Sequence, residues 1–162
     1  MPFARPDLAA YLSNLAEEQS VLARFVELLR AEQDALLRGD ADQLAQLAEP
    51  KNRCIAALQA HAEERRHLLL AGGQPADREG IRYWTREQGR TEPRLAQRWS
   101  EFLTLARVAA DVNRANGALI AARLRATQQA LTTIFGAAGI PGAYAADGSA
   151  VSLHEGRRLA VA

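Results

Sequence analysis

The residues whose types and spacing come closest to a catalytic or metal-binding pattern are Glu64 and His67, in the run Glu-Arg-Arg-His. Helical bundles with carboxylate-bridged metals use two Glu-x-x-His motifs and two further glutamates. This chain contains the motif once and has three histidines in all, so we interpret it as part of a charged, solvated helix face. Cys54, the single cysteine, has no histidine beside it to activate a thiolate, and we interpret it as a small buried apolar residue. The sequence predicts no enzyme, no metal and no cofactor.

A second group of unusual residues, Asn113, Asn116 and Gly117, lies within five positions of a long helical pattern. Asparagine competes for backbone hydrogen bonds, and glycine costs about 1 kcal/mol relative to alanine inside a helix. Three unfavourable residues so close together require a compensating role. Gly117 could permit a close helix crossing while Asn116 hydrogen-bonds inside a bundle and fixes its register. Alternatively, the three residues shape a groove for a partner, and the sequence leaves both interpretations open.

The first element that would position these residues is a long amphipathic helix between Asp7 and Gly39. Asp7 can cap its N-terminus, and Gly39 can adopt the left-handed conformation that ends a helix. Asp40 and Gln43 have the spacing of a capping box for a second helix, which predicts an antiparallel helical hairpin. Five leucines follow heptad spacing along the first helix: Leu8, Leu15, Leu22, Leu29 and Leu36. Such a stripe packs against partner helices that run nearly parallel to it.

Proline and glycine delimit the remaining helices. Pro50 lacks a backbone N–H, so we expect either a kink in the second helix or a short helix followed by a restart. The run Gly-Gly-Gln-Pro at 72–75 ends this segment. Residues 77–90 predict a short helix or turn that packs its aromatic side chains over the end of the bundle. Pro93 suits the first turn of a further helix, which is predicted to run to about Phe135.

Composition restricts the class of protein. The chain has 162 residues, of which 48% are hydrophobic, and 20 basic residues against 19 acidic ones leave a net charge of +1. That balance argues against a nucleic-acid partner, which would favour a basic excess. No apolar run approaches the ~20 residues of a transmembrane helix, the N-terminus does not follow the pattern of a signal peptide, and one cysteine excludes an intrachain disulfide. We expect a soluble, cytoplasmic protein that does not insert into a membrane.

These patterns predict an all-α fold: an antiparallel helical bundle, or coiled coil, of long helices with a short helical connection and a flexible C-terminal tail. We assign residues 1–136 to the bundle domain and residues 137–162 to the tail, because glycine is frequent after Phe135. The competing interpretation is a self-assembling helical scaffold or adaptor that dimerises through the leucine stripe. Polar residues at the second heptad position, such as Gln19 and Gln33, favour the intramolecular bundle, and a homodimer is left open.

Three motifs together resemble the FlgN-type flagellar export chaperones. The first is Asn-x-x-Asn-Gly-x-Leu-Ile at 113–120, on a long helix that follows a leucine-rich hairpin, and the second is Gln-Gln-Ala-Leu at 128–131. The third is the tail, where 143–148 read Ala-Tyr-Ala-Ala-Asp-Gly, 151–154 read Val-Ser-Leu-His and 156–159 read Gly-Arg-Arg-Leu. The resemblance covers nearly the whole chain.

The resemblance implies a cytoplasmic protein that binds hook-associated proteins, the subunits of the hook–filament junction. Such a protein keeps these subunits unassembled and delivers them to the flagellar type III export gate. The resemblance also implies that substrate binds to the C-terminal part of the long helix, and that Tyr144 contacts the cytoplasmic domain of the export gate protein. Two residues depart from the family pattern: Ala145 replaces a glycine, and Pro50 interrupts a helix that is normally continuous.

The residue pattern of the long helix agrees with a role in binding. Apolar side chains on its C-terminal part could receive an amphipathic helix of the substrate in a groove. The residues that we predict for substrate binding are Leu119, Ile120, Leu124, Leu131, Ile134 and Phe135. A tail with one aromatic residue suits a transient second contact, since aromatic side chains contribute much of the binding energy at interfaces.

Overall fold

The computed structural model describes residues 7–137, which form four α-helices joined by short connections. The helices are α1 (Leu8–Arg38), α2 (Ala41–Ala71), α3 (Arg78–Gly89) and α4 (Pro93–Ala137). No strand occurs in this part of the chain, so the predicted all-α fold of long helices with a short helical connection is confirmed. The predicted tail lies outside the described residues, apart from Ala137 at the end of α4. By its internal contacts the chain divides into two units, one ending at Leu119 and the other beginning at Ile120.

The turn and the caps of the α1–α2 hairpin are formed by the residues that the sequence predicts. The Asp7 carboxylate accepts a hydrogen bond at 3.0 Å from the backbone N–H three residues later and caps α1. Gly39 has φ 73° and ψ 29°, the left-handed conformation that ends many helices. Asp40 caps α2 by accepting from the Gln43 N–H at 2.9 Å. The reciprocal half of the capping box does not form, because the Gln43 side chain accepts from Arg38 instead.

Four of the five heptad leucines of α1 are buried, and Leu8 is partly buried and packs against the core. Leu15 and Leu29 have no exposed surface. One core cluster joins all four helices through Tyr11, Leu15, Leu69, Trp84 and Leu95. A second cluster joins Leu22, Val26 and Leu29 of α1 to Ala109 of α4. Because the stripe is buried within the chain, it could mediate self-assembly of a scaffold only if the bundle opened, and the structure adopts the intramolecular alternative.

The short helix α3 packs over one end of the bundle, as predicted, but with one of its two aromatic residues. Trp84 is buried against Tyr11, with ring centroids 4.6 Å apart, whereas Tyr83 is 57% exposed. Asp77 caps α3 by accepting from the Gly80 N–H at 2.7 Å. A Cβ atom on Gly80 would lie 2.3 Å from the Pro75 carbonyl oxygen. The preceding loop therefore approaches the first turn of α3 so closely that only glycine fits at this position.

Pro50 lies inside α2 without interrupting it. The helix is continuous from Ala41 to Ala71, so the expectation of a short helix followed by a restart is wrong. The next residue, Lys51, is held to α1 by an ion pair with Glu32. Tertiary contacts of this kind offset the backbone hydrogen bond that proline cannot donate.

Candidate protein-binding site

Four of the predicted substrate-binding residues form an exposed apolar surface on α4. Their exposed fractions are 50% for Ile120, 58% for Leu124, 41% for Leu131 and 61% for Ile134, and we call these four residues the apolar face. Single exposed apolar residues are ordinary on protein surfaces, whereas contiguous apolar patches mark interaction sites. The apolar face is therefore the first candidate for contact with another protein.

The apolar face occupies one side of α4. At about 100° per residue, its four members span an arc of about 80°. Phe135, which is half-buried, lies about 20° beyond this arc, and Leu119 lies about 100° from its centre. Thr127 falls within the arc, and its hydroxyl donates to the Arg123 carbonyl oxygen at 3.0 Å. Because the hydroxyl already donates within the helix, Thr127 needs no hydrogen-bond acceptor from a partner that covers the apolar face. Leu119 is the one predicted residue that the helix does not bring to this side.

In the Asn113–Gly117 motif, Asn116 is the residue that connects α4 to α1. Asn116 is 1% exposed, and its side-chain amide donates to the Leu29 carbonyl oxygen at 2.8 Å and to the Glu32 carboxylate at 2.9 Å. Asn113 is exposed. Apart from its own helix backbone, no heavy atom of the described residues lies within 4 Å of the position that a Cβ on Gly117 would take. The expectation that Gly117 permits a close helix crossing is therefore wrong.

Two glutamates of α1 are buried against basic residues of α2. Glu18 is 2% exposed and pairs with Arg65, and Glu32 is 8% exposed and pairs with Lys51. The Arg65 guanidinium also lies over the ring of Trp99, 5.6 Å from its centroid, in a cation–π contact. A buried charge that loses its partner destabilises a fold by about 3–5 kcal/mol. The two pairs therefore specify how α1 and α2 face each other.

Glu18 and Glu32 are not among the residues predicted for the core or the site, although the sequence contains a signal for their burial. Glu18 and Glu32 each follow a stripe leucine, Leu15 and Leu29, by three residues. In a heptad repeat, that spacing places both carboxylates beside the core. Tyr11, which is fully buried, stands at the same heptad position. A charged residue there indicates an internal partner on the facing helix.

Within residues 7–137, shifted pKa values are resolved for Tyr11 and Glu101, which lie outside the apolar face. Burial raises the pKa of the Tyr11 hydroxyl above its ordinary value, and nearby Thr85 partly opposes this shift. The Tyr11 and Thr85 hydroxyls do not reach hydrogen-bond geometry, and Tyr11 has no other hydrogen-bond partner among the described residues. At the surface, the side-chain amides of Gln97 and Gln19 donate to Glu101 and lower the pKa of that carboxyl. The apolar face itself contains no titratable group.

The residues first considered for chemistry are not gathered into a site. Glu64 and His67 are both exposed, and Cys54 is half-buried with a free thiol. Within residues 7–137, no group of three or more His, Cys, Asp and Glu side chains is placed to hold a metal ion. None of the helices in the described part of the chain is long and apolar enough to cross a membrane.

An all-α bundle whose longest helix exposes an apolar face is typical of proteins that bind other proteins. The chain belongs to the FlgN family, because the family model described as FlgN protein matches residues 1–152. This match confirms the resemblance seen in the sequence, and it includes Tyr144, which lies outside the described residues. Comparisons with curated proteins and with solved structures gave no match. Members of the FlgN family are flagellar export chaperones that bind flagellar proteins, and the family is not a family of enzymes.

Proposed function

We propose that this chaperone binds hook-associated proteins, the subunits of the hook–filament junction, through the apolar face of α4. It acts in the cytoplasm, where it keeps these subunits unassembled and delivers them to the flagellar export gate. Tyr144, on a tail formed by residues 137–162, contacts the cytoplasmic domain of the export gate protein. The mechanism is stoichiometric: α4 covers a self-assembling terminal segment of the substrate until the gate receives the complex.

The observation that carries this proposal is the exposure of the apolar face in a member of the FlgN family. Each of its four side chains is about half exposed. Burial of the exposed half would contribute about 1 kcal/mol per side chain, or about 4 kcal/mol for the whole face. That contribution is one part of the free energy of docking a partner helix, and further contacts supply the rest.

The charges of this part of α4 restrict the substrate further. From Ile120 to Ala137 the helix contains Arg123 and Arg125 and no acidic residue. A complementary substrate segment is therefore an amphipathic helix with an apolar stripe and acidic residues beside it. Phe135, at the edge of the apolar face, extends the surface that such a helix would cover.

A co-purification experiment with matched variants tests the binding site. The double variant Leu124→Asp/Leu131→Asp should lose a co-expressed hook-associated protein, with an affinity reduced by about thirtyfold or more, since about 2 kcal/mol of apolar burial is removed. The control Ala122→Asp/Gln129→Asp introduces the same charges about 160° away on the same helix and should retain the substrate. Equal binding by both variants would refute the assignment of the apolar face. Failure of the unaltered chain to retain any hook-associated protein would refute the proposed substrates.

Tyr144 has a separate test, because the proposal assigns it a different partner. Tyr144→Ala should keep its affinity for the substrate and lose binding to the cytoplasmic domain of the export gate protein. Tyr144→Phe, which retains the aromatic ring, serves as the conservative control and should keep most of the gate binding. Equal losses of substrate and gate binding in Tyr144→Ala would contradict the division of roles.

A further inference from the structure

A groove with a volume of about 1090 Å³ opens between α3 and α4, within the unit that ends at Leu119. Trp99, Leu103 and Ala106 of α4 and Ile81 of α3 line it with apolar surface. Trp99 is stacked on Phe102 with ring centroids 5.5 Å apart, so Phe102 holds the Trp99 ring in place. The groove belongs to the bundle and does not include the apolar face.

The charged residues around this groove are predominantly arginines. Five arginines and one glutamate line it: Arg65, Arg78, Arg82, Arg86, Arg107 and Glu79. Arg65 is neutralised by Glu18, and Arg86 lies 3.8 Å from Glu87. The three other arginines are exposed and face a single glutamate. In a chain whose net charge is +1, this is a local concentration of positive charge on an apolar surface.

Two polar groups at the groove have unused hydrogen-bonding capacity. Arg65 Nε and Thr85 Oγ1 are buried atoms that have no hydrogen-bond partner among the described residues. Both residues line the groove, and Thr85 is 3% exposed. Because both atoms are buried, a carboxylate at the surface of the groove would meet the exposed rim arginines and not these two groups.

We propose that this groove, here called the arginine groove, binds an acidic amphipathic helix from a partner protein. Apolar residues of that helix cover Trp99 and Leu103, and its carboxylates pair with the exposed arginines at the rim. This role goes beyond substrate binding at the apolar face and gives the chaperone a second docking surface.

Charge complementarity selects an external partner over the chain's own ends. Residues 138–162 contain two acidic and two arginine residues, and residues 1–6 contain one arginine and no acid. Neither segment supplies the excess of carboxylates that the arginine groove requires. A nucleic acid would use the arginines but would leave the aliphatic part of the surface, Ile81 and Leu103, without a matching group.

The probe is a capped, fluorescein-labelled peptide of about 16 residues, long enough to be helical, with leucines at three- and four-residue spacing and glutamates between them. It should bind the full chain at about 0.05 M salt and bind more weakly at about 0.5 M salt, because the rim arginines are exposed and are screened. The double variant Arg82→Glu/Arg107→Glu should weaken binding at least tenfold, which corresponds to about 1.4 kcal/mol. The control Arg30→Glu/Arg94→Glu makes the same change of net charge outside the groove and should bind as the unaltered chain does.

Further measurements distinguish binding in the arginine groove from binding elsewhere on the chain. Because the apolar face is also proposed to bind an acidic amphipathic helix, the arginine variants are compared in the background of Leu124→Asp/Leu131→Asp, which should retain binding at the arginine groove. In heteronuclear NMR the indole signal of Trp99 should shift when the probe is added. The proposal is overturned if the control variant loses binding equally, or if a lysine version of the peptide or polyglutamate without leucines binds as tightly. It is also overturned if single-stranded RNA displaces the probe at lower concentration, or if sedimentation shows a homodimer that Arg82→Glu/Arg107→Glu dissociates.

Discussion

The buried amide of Asn116 gives a quantitative test of how α4 is attached to the hairpin. Asn116→Leu removes one hydrogen bond to the charged Glu32, worth about 1.5–3 kcal/mol, and one to a backbone carbonyl, worth about 0.5–1.5 kcal/mol. It also removes Asn116 Oδ1, which is buried without a hydrogen-bond partner among the described residues. That removal regains about 1–3 kcal/mol of desolvation cost. We therefore expect the free energy of unfolding to fall by about 1–2 kcal/mol.

Asn116→Asp keeps the shape of the side chain but reverses its chemistry. The substitution places a second carboxylate where an amide now lies 2.9 Å from Glu32. Both donated hydrogen bonds are lost, and two buried like charges face each other. We expect this variant to lose about 3–5 kcal/mol at pH 7, more than the leucine variant.

Urea denaturation followed by circular dichroism measures both changes, provided that the slope of the free energy of unfolding against urea concentration is the same in every variant. Asn113→Leu and Asn113→Asp are matched controls, because Asn113 lies one turn earlier in the same motif and is exposed. Each control should change the free energy of unfolding by less than about 0.7 kcal/mol. The assigned role of Asn116 would be refuted if Asn116→Asp were as stable as Asn116→Leu. It would also be refuted if the free energies of unfolding of Asn113→Asp and Asn113→Leu differed by as much as those of the two Asn116 variants.

Further predictions concern four single positions in the bundle. Tyr11→Phe should change the free energy of unfolding at pH 7 by less than about 1 kcal/mol, because the hydroxyl has no hydrogen-bond partner in the described region. Since folding raises the Tyr11 pKa above 10.0, the unfolded chain loses this proton at a lower pH than the folded chain does. The free energy of unfolding should therefore fall as pH rises past about 10, and it should fall less in Tyr11→Phe. Urea denaturation at each pH measures both. Gly117→Ala should raise the melting temperature, since glycine costs about 1 kcal/mol in a helix and the space is open, whereas Gly80→Ala should lower it because of the contact with Pro75. Pro50→Ala should stabilise the fold by about 1–3 kcal/mol in the same urea assay, and a loss of stability would show that the proline is favourable where it stands.

The helices could be predicted from the sequence because their limits depend on local chemistry. Asp7, Gly39 and Asp40 act on neighbouring backbone groups, so their roles follow from residue type and position alone. The leucine stripe could also be interpreted, since heptad spacing places these residues on one face whatever the partner helix is. The expected break in α2 at Pro50 does not occur, because contacts with another helix decide whether an interior proline interrupts a helix.

The polar contacts within the bundle could be predicted less well, because each depends on the register between helices. Nothing in the neighbourhood of Asn116 indicates that Glu32, 84 residues earlier, receives its amide. The same holds for Glu18 and Arg65, which are 47 residues apart. Exposure of the apolar face and formation of the arginine groove are likewise properties of packed helices, and the pattern of residue types alone does not distinguish an exposed apolar face from a buried one.

The two buried ion pairs hold the same stagger of α1 and α2 that their connection imposes. The turn at Gly39 and Asp40 fixes the offset at one end of the hairpin. The ion pairs hold that offset at two points farther along it. Glu32 lies fourteen residues after Glu18, and Lys51 lies fourteen residues before Arg65, so one offset satisfies both pairs and a slip of one heptad leaves four charges unmatched. Because Glu32 also receives Asn116, the same carboxylate sets the axial position of three helices.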